Sequence, residues 1–340
     1  MFQINFSPSL LNEKYSCDGL SLEEWQAEGE PNLILGIVYA SLGITFIILN
    51  IPIIRILSKK EYSNKSCLKI MLYISYIDCL ALSVCAVVTG YLTIIGAVYC
   101  SNPKLIYISG FFGDFGWYSS NIIYLVLAFN RCLDVYNKQW AKYLFERNKT
   151  VVWLMMAFVY GLLMCLFTPP IIYSSKNSWA WFFNPFHLIT KGHTTSDYIN
   201  EAHSINNFVL IIGLIGLYTV FIMMIFYKFK NKQTTFTISK SQKSLLIQST
   251  LICSMSLIAA FTYIIMNFIN IGKYIIVPGQ IGWIMTHCSG AISLYFFNKT
   301  IHNHIYKDFC PQFLKPYFEK TIKQTKATKK EGHTIPTQII

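Results

Sequence analysis

Three ionisable side chains, Asp78, Asp114 and His287, sit in stretches otherwise too apolar to hold them. A charge in such surroundings must be paired, hydrogen-bonded or neutralised, which makes each a candidate for function. Asp78 lies ~12 Å from one end of its apolar stretch, at ~1.5 Å of rise per residue. Asn50, Asn121 and Ser289, in three other stretches, fall at roughly 10–14 Å by the same count. Four polar side chains from four helices therefore share one layer. They could form a water-assisted switch around Asp78, or static interhelical bonds worth ~0.6 kcal/mol each. Asp114 stands at the opposite depth, beside Trp117 and Tyr118. It could accept a hydrogen bond or a countercharge from a ligand, or simply hydrate near its helix end between Gly113 and Gly116. A metal hydrolase would need a His/Asp/Glu cluster at one depth, but His287 stands alone within the apolar stretches. His187, His193 and His203 fall in a polar connection without ligand spacing, so neither metal nor cofactor is expected.

The elements that must position these residues follow from composition. The 340-residue chain is 54% hydrophobic and 13% charged, where a soluble domain carries about 25% charged residues. Seven apolar runs, near 33–54, 71–95, 106–129, 151–172, 205–227, 244–269 and 277–297, are long enough to cross a bilayer as helices. None alternates with a period of two. Lipid admits only helices or closed barrels, so the fold class is an all-α membrane protein, a seven-transmembrane helix bundle over 33–297. An acidic segment, 1–32, precedes it without the form of a signal peptide. Ile301, Ile305 and Phe309 recur at helical spacing after span seven, predicting an amphipathic membrane-surface helix over 298–318 that stops at Pro311. The lysine-rich tail, 319–340, is expected to be disordered. Pro169-Pro170 should end or kink span four, and Gly36 to Ala40 and Gly213 to Gly216 should permit close helix approach.

Of the 28 Lys and Arg, all but Lys14, Lys104, Lys176, Lys191 and Lys273 fall on one side of this topology. The positive-inside rule makes that side cytosolic and the amino terminus extracellular. The net charge of +12 then reports topology and attraction to anionic lipid, with no nucleic-acid motif to suggest otherwise. Only Cys17 and Cys100 face the oxidising side, which predicts a disulfide between them, with free thiols or intermolecular links as the alternative. Among the Asn-x-Ser/Thr sequons only Asn5 is placed for glycosylation; Asn64, Asn148 and Asn298 face the cytosol.

Seven spans, an acid in span two, Arg131 at the base of span three and an interfacial helix together resemble a G-protein-coupled receptor. The details are most similar to nematode serpentine receptors of class T. The residues carrying this are Tyr15-Ser16-Cys17, Pro52, Ser66-Cys67-Leu68-Lys69-Ile70-Met71, Asp78, Cys100-Ser101-Asn102-Pro103, Asn130-Arg131, Tyr295 and Asn298-Lys299-Thr300-Ile301. The ordered set runs from about Tyr15 to residue 315.

The resemblance implies a chemosensory receptor in the plasma membrane, with sensory cilia as one site, that binds an extracellular small molecule and activates a heterotrimeric G protein. Arg131, with Asn130, is the expected G-protein contact. Asp114, Trp117, Tyr118, Tyr263, Asn267, Gln280 and Trp283 are the expected ligand-binding set, with Trp179, Trp181 and Phe182 as a lid. For several of these aromatics, interfacial anchoring is the competing role. The chain departs from the rhodopsin-like pattern in places. Asn130 replaces the usual acid beside Arg131, which implies that the ionic restraint within that motif is absent and that basal activity is raised. Span six lacks a proline, and span seven reads Ala291-Ile292-Ser293-Leu294-Tyr295 without the usual Asn-Pro; its apolar run lacks a lysine for a retinal Schiff base. A transporter or channel is the alternative, although no internal repeat suggests one.

Overall fold

The chain buries its polar side chains inside a ring of helices and leaves aliphatic side chains outside. The computed structural model describes residues 5–62, 65–176, 178–186, 189, 198–230, 240–268 and 273–309. His187, His193, Asn64, Cys310, Pro311 and the tail lie outside the described residues. The seven spans are Leu33–Leu57, Ser66–Ile95, Pro103–Tyr136, Lys149–Phe167, Glu201–Lys230, Lys240–Phe268 and Lys273–Phe297. Most run beyond their apolar cores, because a helix keeps its backbone hydrogen bonds as it leaves the hydrocarbon. Spans one, two, four, five and six are long and apolar enough to cross a membrane on composition alone. Spans three and seven instead hold Asp114, Asn121, Arg131, Gln280, His287 and Ser289, all buried in the bundle.

Span three is the central helix and packs against spans two, four, five and six. Spans one and two approach closely at Gly36 and Gly90, where a Cβ on either would lie 2.6 Å from the other's carbonyl oxygen. Gly213 likewise admits Leu125, but Gly216, expected to do the same, faces open space. Span two is regular over Ser66–Leu82, widens to a π-turn over Ser83–Val88 and resumes over Thr89–Ile95. Such turns commonly mark functional sites. Asn298 caps the helix Lys299–Phe309 by accepting from the Ile301 N–H at 3.2 Å. That helix buries Ile301 and Ile305 against the bundle.

The amino-terminal end of the bundle is covered. Two short helices, Pro8–Lys14 and Leu22–Ala27, lie over it with the hairpin of β1 (Ile172–Ser174) and β2 (Ala180–Phe182). Ser21 and Glu24 form a capping box at the second short helix. A disulfide joins Cys17 to Cys100 with Cα atoms 5.5 Å apart. Tyr15 packs edge-on against Tyr99, Tyr107 and Tyr198, and burial among these rings pushes its hydroxyl pKa up.

Asn5 departs from the expected glycan acceptor. Its side chain is only 4% exposed. Nδ2 donates to the carbonyls of Cys165 and Thr168, both at 2.6 Å, and its backbone N–H donates to Leu166 O at 2.9 Å. The cause is Pro169-Pro170. Within a helix the Cys165 and Leu166 carbonyls would accept from residues 169 and 170, but proline has no N–H. Asn5 supplies the missing donors and ends span four, which leaves its amide nitrogen no freedom to carry a sugar.

Candidate functional site

The polar layer in the middle of the bundle centres on Asp78, whose Oδ1 lies 2.9 Å from His287 Nδ1. Both side chains are 0% exposed. Gly290, one turn beyond His287 in span seven, leaves room for the carboxylate: a Cβ there would meet Asp78 Oδ2 at 2.6 Å. The residues expected to share the layer are buried there but bond locally. Asn50 Nδ2 donates to Phe46 O at 2.9 Å and Ser289 Oγ to Thr286 O at 2.6 Å, while neither side-chain polar atom of Asn121 has a hydrogen-bond partner. All four expected residues are buried, but His287 is the residue that meets the acid.

Asp114 is fully engaged at one oxygen. Its Oδ2 accepts from the Ile171 backbone N–H at 3.0 Å, the first donor available after the two prolines. The fit is close, since a Cβ on Gly110 would fall 1.7 Å from Ile171 O. Asp114 therefore anchors the loop leaving span four, and its Oδ1 has no partner.

The other expected ligand-facing residues divide into two groups. Gln280 Nε2 donates to the Cys85 carbonyl inside the π-turn at 2.8 Å, tying span seven to span two. Trp283 packs toward span three, its indole edge 3.3 Å from where a Gly113 Cβ would lie. Its Nε1 has no partner. Trp181 plugs the same region from above, donating from Nε1 to Thr89 Oγ1 at 2.8 Å, while Tyr173 reaches Thr93 Oγ1 at 2.7 Å. Phe182 follows on β2, half-buried.

Trp117, Tyr118 and Tyr263 form the second group, and span five completes it. Trp117 donates from Nε1 to Asn207 Oδ1 at 2.9 Å and meets Tyr263 edge-on at 5.6 Å. His203 lies near-parallel to Trp117 at 6.5 Å between centroids and edge-on to Tyr118 and Phe183 at 5.7 and 5.1 Å. His203 belongs to span five, not to the preceding loop. Asn200 caps that helix, accepting from the His203 N–H at 2.9 Å and donating to Pro169 O at 3.1 Å. The run His203, Asn206, Asn207 before a long apolar stretch was the available signal for this group. Asn267 falls in span six, but its side chain lies outside the described residues.

A groove lies elsewhere among the described residues. It measures about 560 Å³ between spans one and seven and is lined chiefly by Ile34, Leu35, Val38, Trp179, Val277 and Pro278. Trp179 roofs it in a left-handed backbone conformation, φ +49°, with its indole N–H on Glu30 O at 2.7 Å. The lining of the groove is chiefly apolar, which suits hydrocarbon chains.

At the opposite end Arg131 is restrained. Its Nη2 lies 2.7 Å from Asp134 Oδ2 and also donates to Asn130 Oδ1. Asn130 Nδ2 in turn donates to Ser66 Oγ at 3.2 Å. Asn130 offers only an amide oxygen, and the acid that pairs with Arg131 is Asp134, one helical turn later. Span six is also latched: Asn298 Nδ2 donates to Gln248 Oε1 at 3.4 Å, and Gln248 Nε2 to Ser244 Oγ at 2.8 Å.

This arrangement agrees with the relatives of the sequence. Residues 2–317 match the family profile described as serpentine type 7TM GPCR chemoreceptor Srt. The Caenorhabditis elegans protein "Serpentine receptor class T-55" is 27% identical over 265 residues, covering 77% of this chain and 70% of that one. The crystal structure of squid rhodopsin superposes with a TM-score of 0.58 at 12% identity, covering 98% of this chain and 97% of that one, a likeness of fold alone.

Proposed function

The chain belongs to the Srt family of serpentine seven-transmembrane chemoreceptors, and on that premise we propose that it senses an extracellular small molecule and activates a heterotrimeric G protein. The family is one of receptors, not enzymes, and the rhodopsin-like bundle makes this a multi-pass membrane protein. The single observation that carries the proposal is the family match across nearly the whole chain.

In this reading the amino terminus faces outward at the plasma membrane, as the lysine and arginine distribution requires. The ligand occupies the region of Trp117, Tyr118 and Tyr263. Asp114, Gln280 and Trp283 shape it by holding the outer loop and the π-turn. A ligand that binds more tightly to the state with an open cytosolic end shifts the population toward that state. Opening would separate span six from span three, and the Arg131 guanidinium would leave Asp134 and present its donors to the partner. The Asp78–His287 pair, between spans two and seven, lies where such a rearrangement must be accommodated.

The test is G-protein activation in cells expressing the wild type or Arg131→Ala at equal surface level, across a broad panel of small molecules. The expected result is a ligand-dependent signal that the variant loses. A signal the variant retains in full would remove Arg131 from the contact. A wild type whose specific ligand, shown to bind, produces no nucleotide exchange would overturn the receptor reading.

A further inference from the structure

The donor and acceptor accounting around Trp117 leaves two buried groups on span five unmet. Indole Nε1 can only donate, so the Asn207 atom it touches at 2.9 Å is the amide oxygen, whichever way the amide is drawn. Asn206 Nδ2 donates to the same oxygen at 3.3 Å, and Asn206 Oδ1 receives the Tyr160 hydroxyl at 3.0 Å. Both lone pairs of Asn207 Oδ1 are therefore used, and the amide orientation is fixed. Asn207 Nδ2 is left without an acceptor in a side chain 0% exposed. One turn earlier, His203 Nδ1 also has no partner, in a side chain 8% exposed. Folded proteins leave few such groups. Residues at i and i+4 share one helix face, and both of these meet Trp117.

We propose that His203 and Asn207 form the recognition pair for a neutral ligand bearing a hydrogen-bond acceptor, of the ketone or ester class. The inference rests on the receptor reading and names the ligand chemistry of that site. Asn207 offers N–H groups and so requires an acceptor. The surrounding Trp117, Tyr118, Phe183 and Tyr263 offer rings and so favour an apolar body. No Lys, Arg, Asp or Glu belongs to this described cage. A carboxylate ligand would be buried there without a countercharge, which is strongly unfavourable. Asp114 gives Oδ2 to the Ile171 N–H, while its Oδ1 has no partner, so the amine probes below decide between Asp114 and the span-five pair.

The experiment uses the full chain in lipid nanodiscs with four matched probe series on the same alkyl chains: methyl ketones, methyl esters, carboxylic acids and primary amines. Ligand-induced rise in Tm reads binding, and nucleotide exchange on added G protein reads signalling. Asn207→Asp keeps the oxygen that Trp117 and Asn206 need but removes the free donors; His203→Phe keeps the ring and removes Nδ1. Ketones or esters should stabilise the wild type, with half-maximal concentrations rising about tenfold or more in each variant, and Asn207→Asp should gain a response to amines. The pair is overturned if acids or amines bind the wild type as well as the neutral series, if Asn207→Asp keeps the ketone response, or if no neutral probe shifts the wild type. Ketone binding that depends on the pair but triggers no exchange would overturn the receptor reading alone. Exchange driven by acids or amines would overturn the pair and leave the receptor.

Discussion

Nδ1 of His287 in span seven lies 2.9 Å from Oδ1 of Asp78 in span two, with both side chains sealed from solvent and lipid. Each is the other's means of tolerating burial, so removing one partner strands the other. His287→Ala should destabilise the protein by about 3–5 kcal/mol, the usual cost of an orphaned buried charge partner. Replacing both with leucine should cost less than the single change, because an apolar pair leaves nothing unmet. Thermal unfolding of the three forms in nanodiscs decides the matter; a double variant worse than the single one would mean that packing, not pairing, dominates there.

Asn5 should carry no glycan and should matter for stability instead. Asn5→Ala removes the side-chain donors to Cys165 and Thr168, at a cost of about 1–3 kcal/mol for buried acceptors left unmet. Enzymatic deglycosylation of protein from eukaryotic cells should leave electrophoretic mobility unchanged. A mobility shift abolished by Asn5→Gln would contradict this placement.

The Cys17–Cys100 bond closes a separation of 83 residues. On the chain-entropy account a loop of that size contributes roughly 4.5 kcal/mol. Reduction should therefore lower Tm, and Cys17→Ser should match Cys100→Ser and the double variant. Non-equivalence of the two single variants would point to a different pairing.

Asp134→Ala should raise basal signalling. It releases the Arg131 guanidinium from the 2.7 Å contact, and losing about 1 kcal/mol of restraint changes the ratio of inactive to active states roughly fivefold. Basal nucleotide exchange at equal expression measures this, and Asp134→Ala/Arg131→Ala should return to silence.

Lys59 Nζ lies 2.9 Å from Asp308 Oδ2 and ties the helix Lys299–Phe309 to the turn after span one. Hydrogen bonding to the Lys59 ammonium, helped by His304 and Lys307, holds the Asp308 pKa below its ordinary value. A depressed folded value means the contact is fully present above the ordinary carboxylate range, near pH ~4, and is lost only as pH falls through the lower value. The distance between spin labels at Ser58 and Asn303 should stay constant down to that range and then lengthen. Salt should weaken the contact at neutral pH.

Much of this protein was legible before folding was considered, because bilayer length and the cost of buried polarity act residue by residue. The seven spans, the extra helix bearing Ile301 and Ile305, the burial of Asn50, Asp78, Asn121 and Ser289, and the two cysteines on one side all follow from position along the chain. What a sequence pattern does not carry is azimuth, the direction in which a side chain leaves its helix. That is why His287, and not Asn121 or Ser289, meets Asp78, and why Asp114 turns to Ile171 instead of an open cavity. Asn5 reaches the end of span four only because the amino-terminal segment folds back over the bundle, and a sequon alone says nothing of that path. His203 was hidden because span five begins earlier than its apolar run, and Asn207 because its azimuth was not legible; their unmet atoms became visible only once Trp117 fixed which end of an amide faced it.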